Sequence, residues 1–594
     1  MGLFGGATAM VARARWLTAS AAIALLGKAL PGMALTPPER SLTKHLPADT
    51  ALAVMIDTRP EAWTGLTQFE LFRKLAAEYD RPIHPGLPYL PGSAETLTTW
   101  AGATAVVALP PGPAPGSPMT DAMVMLVPVL DGSGRDAYLT DLEQRLGAPE
   151  RQTYRQTPLL YWAPAWESAD LGPIQIQPTA ARTGLIGLPK IPLPLPGQLD
   201  PSGVAIALLP EMLVAAANPA ALKHFLDQRP DSTATLTDLP DFQRALDQPQ
   251  VENALAAAYG DVGGLLSHGQ GGFSGELALP FPPIPPFDLE AVRAAGIEGT
   301  FEALIYPQPE GLRLQSRFYL DALSALASPE PAPSSLLDQL PAATYVLASS
   351  YNLTGTWQVV ASFLENFSEE TRAGLDAARN FVQLATGLDL DRELLGWMDG
   401  EFALFAFPAE TSPFTQALPE AYIALGAMVQ TSDRPAAETA LVGFRELAEL
   451  FALPLTEDIV NGESTIDLGL PLAGPEPLSV LSYGWSQEDT LTFASGRGPM
   501  ARLINPIPFD PLSQHSTFRS ATAGFPQANN GYFYLNAGAC LLLAYGLLDI
   551  QDDPGQSYEI TDYLSTLRSL SATTAATDDF FQIDGLLGLA PREP

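Results

Sequence analysis

The stretch Leu46-Pro-Ala-Asp-Thr50 precedes an apolar run at 51–56 and a tryptophan, Trp63. The same order returns later in the chain, where Leu340-Pro-Ala-Ala-Thr344 precedes a second apolar run and Trp357. The leucine and the tryptophan are equally far apart in both copies. A short apolar run bounded by proline and polar residues is typical of a buried strand. The sequence therefore predicts two similar halves, each of which opens with such a strand.

Further elements repeat in the same order. A tryptophan and a glycine precede an apolar strand that ends in proline, with Trp100, Gly102 and Pro110 in the first half and Trp397, Gly400 and Pro408 in the second. Each half continues with a strand and an amphipathic helix, at 121–146 and 421–451. Each half ends in a strand-rich tail, at 292–319 and 567–589. In the first of these tails, alternating polar and apolar residues indicate an antiparallel hairpin with one solvated face.

We therefore predict an α+β protein of two homologous domains that arose by internal duplication. Each domain is expected to be a largely antiparallel sheet with helices packed on one face. The proline-rich segment at 329–333 separates the halves, so the predicted domains are 41–328 and 335–590. Two stretches that are both apolar and proline-rich, at 185–199 and 277–287, are either loops packed on their own domain or flaps over a groove.

The composition limits the classes of partner. Hydrophobic residues make up 46% of the 594 residues, which is enough for buried cores, and only 16% are charged. Acidic residues outnumber basic residues 66 to 31, and the formal net charge is −35. Because such a surface repels phosphate groups, the charge argues against nucleic acid and against an anionic bilayer surface as partners.

Residues 1–34 have the features of an export signal. Arg13 and Arg15 precede an apolar segment at 16–27, and small residues at 32 and 34 suit a signal peptidase. A membrane-spanning helix needs about 20 apolar residues, and Lys28 interrupts this segment early. We expect an exported protein. The alternative is that this segment is not cleaved and anchors the protein, in which case it would be the protein's only contact with the membrane.

The sequence predicts no catalytic and no metal site, and it leaves cofactor-binding residues unknown. The histidines show no pair at the helical spacing of a zinc site: His45, His84, His224, His268 and His515. Cys540 is the single cysteine, and its apolar neighbours predict a buried, inert thiol. We therefore expect a protein that is not an enzyme and that has no cofactor.

Two partial motifs fall short of a site. His268-Gly-Gln-Gly-Gly272 is similar to the oxyanion loop of esterases, but the nucleophile elbow Gly-x-Ser-x-Gly is missing. Asp389-Leu-Asp-Arg-Glu393 has the alternating acids of a calcium loop, but Gly400 stands where the closing glutamate should be. Acids are favoured at helix N-termini, so we expect a helix to begin at 389–393. The repeated tryptophans are expected in the core, and ligand stacking is the alternative.

These repeated motifs resemble an uncharacterised bacterial family, the domain of unknown function 3352 (DUF3352), which is common in cyanobacteria. The resemblance rests on the repeated openings, on the tryptophan–glycine–strand elements, on Phe518-Arg-Ser-Ala521 with Asn529-Asn-Gly-Tyr532, and on 567–573. It extends over 40–590, and the first half shows no clear match to Asn-Asn-Gly-Tyr near 252–274. The resemblance implies an exported protein of the periplasm or thylakoid lumen and supplies no activity, ligand or site residue.

Three functions remain open from the sequence. The favoured one is a non-catalytic binding or scaffolding protein that holds an apolar ligand or a membrane-protein segment between sheet and helices. It is motivated by the low charge content, the apolar loops and the repeated architecture. The second is a hydrolase with an unrecognised site, which would need acids clustered with His224 or His268. The third is a structural component of the cell envelope.

Overall fold

The structure is a computed structural model, and the residues it describes are 42–78, 87, 89–90, 94–112, 122–163, 203–229, 234–265, 267, 298–320, 334–367, 369–471, 477–547, 563–577 and 579–592. The export segment at 1–34, the proline-rich stretches at 185–199 and 277–287, and the predicted boundary at 329–333 lie outside them. So do His84 and His268.

The described residues contain twenty strands, ten before residue 321 and ten after residue 345. The first ten are β1 Leu52–Asp57, β2 Thr104–Leu109, β3 Val124–Pro128, β4 Glu150–Tyr154, β5 Thr157–Trp162, β6 Val204–Leu208, β7 Met212–Ala216, β8 Ala256–Asp261, β9 Gly299–Gln308 and β10 Gly311–Leu320. The second ten are β11 Val346–Tyr351, β12 Glu401–Phe407, β13 Ala424–Gln430, β14 Leu455–Val460, β15 Glu463–Leu470, β16 Leu478–Trp485, β17 Thr490–Ala494, β18 Tyr532–Asn536, β19 Leu567–Ala576 and β20 Phe581–Leu589.

The two halves have the same strand order. The first half runs β4-β5-β6-β7-β3-β2-β1-β8-β9-β10, and the second runs β14-β15-β16-β17-β13-β12-β11-β18-β19-β20. All of these neighbours are antiparallel, as expected. Each strand of the first half therefore has a counterpart in the second half that follows ten strands later in the chain.

The two halves join edge to edge into one sheet. Strand β10 pairs antiparallel with its counterpart β20, from Gly311 opposite Gly588 to Phe318 opposite Phe581. A twofold axis through the middle of this pair would exchange the halves, because it would map each strand onto the other. The predicted domains thus share a continuous hydrogen-bonded sheet.

Thirteen α-helices lie in the described residues. They are α1 Pro60–Thr64, α2 Glu70–Glu78, α3 Ala94–Thr98, α4 Gly132–Leu146, α5 Pro219–Gln228, α6 Pro240–Leu246, α7 Leu353–Phe367, α8 Glu369–Thr386, α9 Pro413–Ala417, α10 Arg434–Leu450, α11 Arg497–Met500, α12 Ser516–Ala521 and α13 Ala537–Leu547. Side chains cap three of the helices that follow strands. The Asp131 carboxylate accepts from the first N–H groups of α4, the Asn218 amide oxygen from α5, and the Asp433 carboxylate from α10.

The helices do not all lie on one face of the sheet, which corrects the sequence expectation. In the first half, one core contains Val54, Val107 and Tyr138 of α4, and a second contains Met55, Val106 and Phe225 of α5. Neighbouring residues of a strand point to opposite faces. Because β1 and β2 are apolar at every position except Thr104 and Asp57, both of their faces need cover, and helices supply it on both.

The two opening motifs fold in the same way. In each, the threonine hydroxyl donates to the proline carbonyl at 2.7 Å, from Thr50 to Pro47 and from Thr344 to Pro341. Leu46 and Leu340 are both fully buried. The repeated motif is therefore a local turn that anchors the start of each first strand.

The first half does contain a counterpart of the Asn-Asn-Gly-Tyr strand. Strand β8, at Ala256–Asp261, pairs with β1 and β9 as β18 pairs with β11 and β19. The sequence comparison found no match there because β8 reads Ala-Ala-Ala-Tyr-Gly-Asp. Alanine, glycine and aspartate are all uncommon in strands.

Candidate functional site

The face of the sheet that carries Leu404 is apolar and partly open to solvent in the second half. Two rows of directly opposed residues cross the five strands β13, β12, β11, β18 and β19. One row is Leu425, Ala406, Val346, Leu535 and Leu570, and the other is Ala427, Leu404, Ala348, Phe533 and Ala572. Opposed residues share a face, so all ten side chains point to one side. Leu404, Leu425 and Leu570 are 40%, 48% and 40% exposed.

The equivalent face of the first half is closed. The counterpart of the second row is Met125, Val107, Val54, Ala258 and Ala303, which the same strand pairings place side by side. All five are buried. They belong to one core with Trp63 of α1, Phe69 just before α2, and Tyr138 of α4. The two halves therefore have the same sheet structure and differ in whether helices cover this face of the sheet.

Among the described residues, this cover is missing in the second half because the helices after β11 pack on each other. In the first half, the segment between β1 and β2 adds its apolar side chains to the core on the sheet. In the second half, α7 and α8 enclose a separate small cluster of Trp357, Ala361 and Leu375. Arg379 ties the pair together, because its guanidinium donates to Glu365 at 2.6 Å and to Asp391 at 2.8 Å.

Helix α10 covers only the neighbouring part of this face. Its residues Ala437, Ala440 and Leu441 form a core with Tyr483 of β16 and Leu491 of β17. The counterpart helix in the first half, α4, belongs to the core that includes Val107. The two open rows thus lie outside the core that α10 forms.

Helix α13 adds apolar surface at one end of the sheet. Its sequence, Ala-Gly-Ala-Cys-Leu-Leu-Leu-Ala-Tyr-Gly-Leu, is almost wholly apolar, yet none of residues 537–544 is buried and Leu542 is 74% exposed. A helix that is apolar on all sides is normally enclosed by protein or lipid. Leu542 and Leu543 line an open cavity of about 590 Å³ with Tyr345, Tyr422 and others.

The opposite face of the same region is polar and buried at the junction between the halves. The Arg313 guanidinium donates to the Asp584 carboxylate at 2.6 Å, and both side chains are almost fully buried. The side-chain amides of Gln315 and Gln582 also donate to Asp584, at 3.1 and 2.5 Å. This network satisfies the buried charges across the β10–β20 pair, so we assign it to holding the junction.

A second buried acid, Glu302, lies beside this network. The Tyr319 hydroxyl donates to its carboxylate at 2.9 Å, and Arg317 lies at 3.4 Å. Burial raises the pKa of Glu302 above its usual range, against the opposing effect of Tyr319 and Arg317. Its hydrogen bonds join β9 to β10, which again is a role in the sheet.

The histidines in the described residues lie apart from one another in structural roles. His45 contacts Arg229, and the His224 ring donates from Nε2 to the Pro111 carbonyl at 2.6 Å. His515 stands at the start of α12. Within the described ranges, no three His, Cys, Asp or Glu side chains form a group that could hold a metal.

Two further expectations from the sequence can be compared with the structure. Asp389 does begin a helical turn, because its carboxylate accepts from the N–H groups of Asp391 and Arg392 at 2.9 Å. The sequence predicted a buried thiol at Cys540, but in the structure this residue is only half-buried. Its thiol lies 3.7 Å from the Tyr345 carbonyl, and burial raises its pKa.

The repeated tryptophans are core residues, as expected: Trp63, Trp100, Trp357 and Trp397 are all buried. The open rows were not recognised from the sequence. The one available signal is α13, an apolar helix with no polar face.

In the described part of the chain, no helix combines the length and the apolar character needed to cross a membrane.

Comparison with known proteins gives a family and little more. No curated protein matches the chain. Two crystal forms of a protein named TP0453, forms I and III, are similar at 8% sequence identity, with TM-scores of 0.22 and 0.23. The matched region covers 48% of this chain for form I and 47% for form III, and 79% of the TP0453 chain in both. The model of a family described as "Protein of unknown function (DUF3352)" matches residues 94–589, which is most of the chain, as the motifs predicted. The chain therefore belongs to the DUF3352 family.

Proposed function

We propose that this protein is an exported, non-catalytic binding or scaffolding protein, and that its second half binds an apolar ligand or a membrane-protein segment on the open sheet face. The site consists of the two rows that contain Leu404 and Leu570, and of the cavity beside α13. The supporting observation is that the row through Leu404 is partly open to solvent, whereas its counterpart through Val107 in the first half is closed.

The open face has an energetic reason to bind. Burying an exposed leucine stabilises a complex by about 25 cal/mol for each Å² of apolar surface removed from water. Leu404, Leu425, Leu570 and Leu542 all retain large exposed fractions. Contiguous exposed apolar surface of this kind marks interaction sites. A partner that covers the rows would complete for the second half the core that the first half builds from its own chain.

We also propose that the halves arose by internal duplication, with domains at 41–328 and 335–590. The identical strand order and the matching turns at Thr50 and Thr344 support this. On this view the first half keeps the original arrangement, in which helices cover the sheet face. The second half lost these covering helices when the segment after β11 became the α7–α8 hairpin. Duplication would have freed one copy to bind.

The location is proposed from the first 34 residues. Their two arginines, short apolar segment and small residues suit export, and the family resemblance suggests the periplasm or thylakoid lumen. An uncleaved signal would anchor the protein. Either outcome leaves the open face outside the cytoplasm, where it would meet lipids, pigments and the exposed segments of membrane proteins.

The test is native mass spectrometry of the protein purified from its own host, as wild type and as Leu404→Glu. We expect a bound apolar molecule or a partner on the wild type, and its loss from the variant. Leu384→Glu on α8 is the matched control, because Leu384 is 88% exposed and belongs to neither row. It should retain the partner.

Two results would count against the proposal. One is a wild-type protein that carries no bound molecule or partner and that does not bind the apolar dye ANS. The other is a ligand that survives Leu404→Glu as well as it survives the control. The second result would place the binding surface elsewhere on the chain.

A further inference from the structure

We infer that the occupant of the open face is an amphipathic α-helix of a partner protein, lying across the strands with a basic outward side. This inference rests on the proposed function and specifies its partner. The juxtaposition that supports it is the pair of apolar rows across β13, β12, β11, β18 and β19, in which Leu404 lies next to the central residue Ala348.

The size of the face suits one helix. Adjacent strands lie about 4.8 Å apart and residues rise about 3.4 Å along a strand, so two rows on five strands form a floor of roughly 24 by 14 Å. An α-helix of about 16 residues is 24 Å long and 10 to 12 Å wide. Such a helix would cover both rows from Leu425 to Leu570.

The same size argues against a second copy of this chain. The floor measures roughly 330 Å², and a stable interface between two proteins buries about 800 Å² on each partner. Two such faces pressed together would bury less than half of that. They would also bring two chains of net charge −35 into contact, and that repulsion opposes dimerisation.

The openness of the face argues against a small ligand. Ligand sites are concave and cover about 70 to 90% of the ligand surface. Here Leu404, Leu425 and Leu570 lie on a sheet face and each keeps 40 to 48% of its surface exposed to solvent. A helix, in contrast, needs only one side covered, because its other side is polar.

The first half shows that the fold accepts such a cover. There the row centred on Val54 and Val107 lies in one core with Tyr138, Leu139 and Leu142. These three residues occupy a single side of α4, and the outward side of α4 is mostly exposed and polar. The partner helix would do for Leu404 what α4 and its neighbours do for Val107.

Charge specifies the outward side. The chain has a net charge of −35, and Glu420 lines the cavity beside α13. An acidic surface attracts a cationic partner and repels an acidic one. The partner helix should therefore carry Lys or Arg on the side that faces away from the sheet.

The test uses a fluorescein-labelled peptide of about 16 residues, built from leucine and lysine with the leucines at helical spacing. A peptide of the same composition in scrambled order, without an apolar side, controls for attraction by charge alone. Binding is followed by fluorescence anisotropy at low salt and at roughly 0.5 M salt, where long-range attraction is screened. The variants are Leu404→Glu and the control Leu384→Glu.

We expect the amphipathic peptide to bind at both salt concentrations and the scrambled peptide to bind only at low salt. Leu404→Glu should weaken binding at least about tenfold, as loss of a central apolar contact does, and Leu384→Glu should not. In the wild type, methyl NMR should show peptide-induced shifts at Leu404, Leu425 and Leu570 and none at Leu384. This readout needs no variant to fold.

Equal binding of both peptides, or binding that Leu404→Glu leaves unchanged, would overturn the inference. So would a dimer of the free protein that Leu404→Glu dissociates in sedimentation, which would make a second copy the occupant. If the peptide does not bind, but the wild type carries an apolar molecule that Leu404→Glu loses, then the inferred partner helix is wrong and the proposed function stands. If neither binds, both fall.

Discussion

Val107 and Leu404 occupy equivalent positions on the same side of one sheet, but Val107 is 1% exposed and Leu404 is 40% exposed. Val107 lies opposite Val54 on β1, and Leu404 lies opposite Ala348 on β11. The strand order around them is the same. Their environments differ because α1, α2 and α4 cover Val107, whereas α7 and α8 pack on each other.

This difference predicts unequal effects of truncation. Val107→Ala should lower the free energy of unfolding by about 2 kcal/mol, because it removes buried methyl groups and leaves a cavity. Leu404→Ala deletes more atoms but should cost less than 1 kcal/mol, because the leucine is already partly in water. Urea unfolding of both variants checks the pair. A larger loss for Leu404→Ala would mean that its face is covered.

The buried pair Arg313–Asp584 predicts a large loss at the junction. Asp584→Ala would leave the Arg313 guanidinium buried without its carboxylate, and breaking a buried pair in this way costs about 3 to 5 kcal/mol. Glu438→Ala is the matched control, because it removes the carboxylate of the exposed pair with Arg434. That change should cost less than about 0.5 kcal/mol. Similar midpoints of urea unfolding for the two variants would contradict the role assigned to the buried network.

The glycine before each apolar strand predicts a steric effect. A Cβ at Gly400 would lie 2.8 Å from the Gln430 backbone oxygen, and a Cβ at Gly102 would lie 2.6 Å from the Pro128 ring. Gly400→Ala should therefore destabilise the protein by about 1 to 3 kcal/mol. Gly374→Ala in α8 should instead stabilise it by about 0.5 to 1 kcal/mol, because that position is open and helical. Equal changes in thermal midpoint would contradict this assignment.

Much of the sheet was predictable because its strands carry local signals. The hairpin of β9 and β10 alternates polar and apolar residues, and β2 and β12 are continuous apolar runs after a tryptophan and a glycine. Such patterns depend only on neighbours in the chain. Strand β8 was missed because its alanines carry no strand preference.

The open face was not predictable for a physical reason. Strand β12 reads Glu-Phe-Ala-Leu-Phe-Ala-Phe, a run typical of a strand with both faces buried. Nothing in that run distinguishes Leu404 from the buried Val107. The difference arises from where α7 and α8 pack. The pairing of β10 with β20 is likewise tertiary, because it joins residues such as Gln315 and Asp584 that are far apart in the chain.

His45 predicts a dependence of stability on pH. Its ring Nδ1 lies 3.0 Å from the Arg229 guanidinium and its Nε2 lies 3.5 Å from the Glu211 carboxylate. Burial, and secondarily the positive charge of Arg229, lower the pKa of His45 to about 4. The folded protein therefore keeps this ring neutral at pH values where the unfolded chain binds a proton.

The sign follows from proton binding. Between pH 6.5, the ordinary pKa of histidine, and about 4, the unfolded chain holds more protons at this position than the folded protein. The contribution of His45 to stability is thus fully present above pH 6.5 and is lost as the pH falls toward 4. His45→Gln can still accept a hydrogen bond from Arg229 and cannot titrate. We expect the free energy of unfolding of the wild type to fall more than that of His45→Gln across this window. The other acid-sensitive groups are the same in both proteins, so their effects cancel in the comparison. Urea unfolding at the two ends of the window measures the free energy of unfolding of each protein. An equal fall in both would show that His45 is as easily protonated in the folded protein as in the unfolded chain.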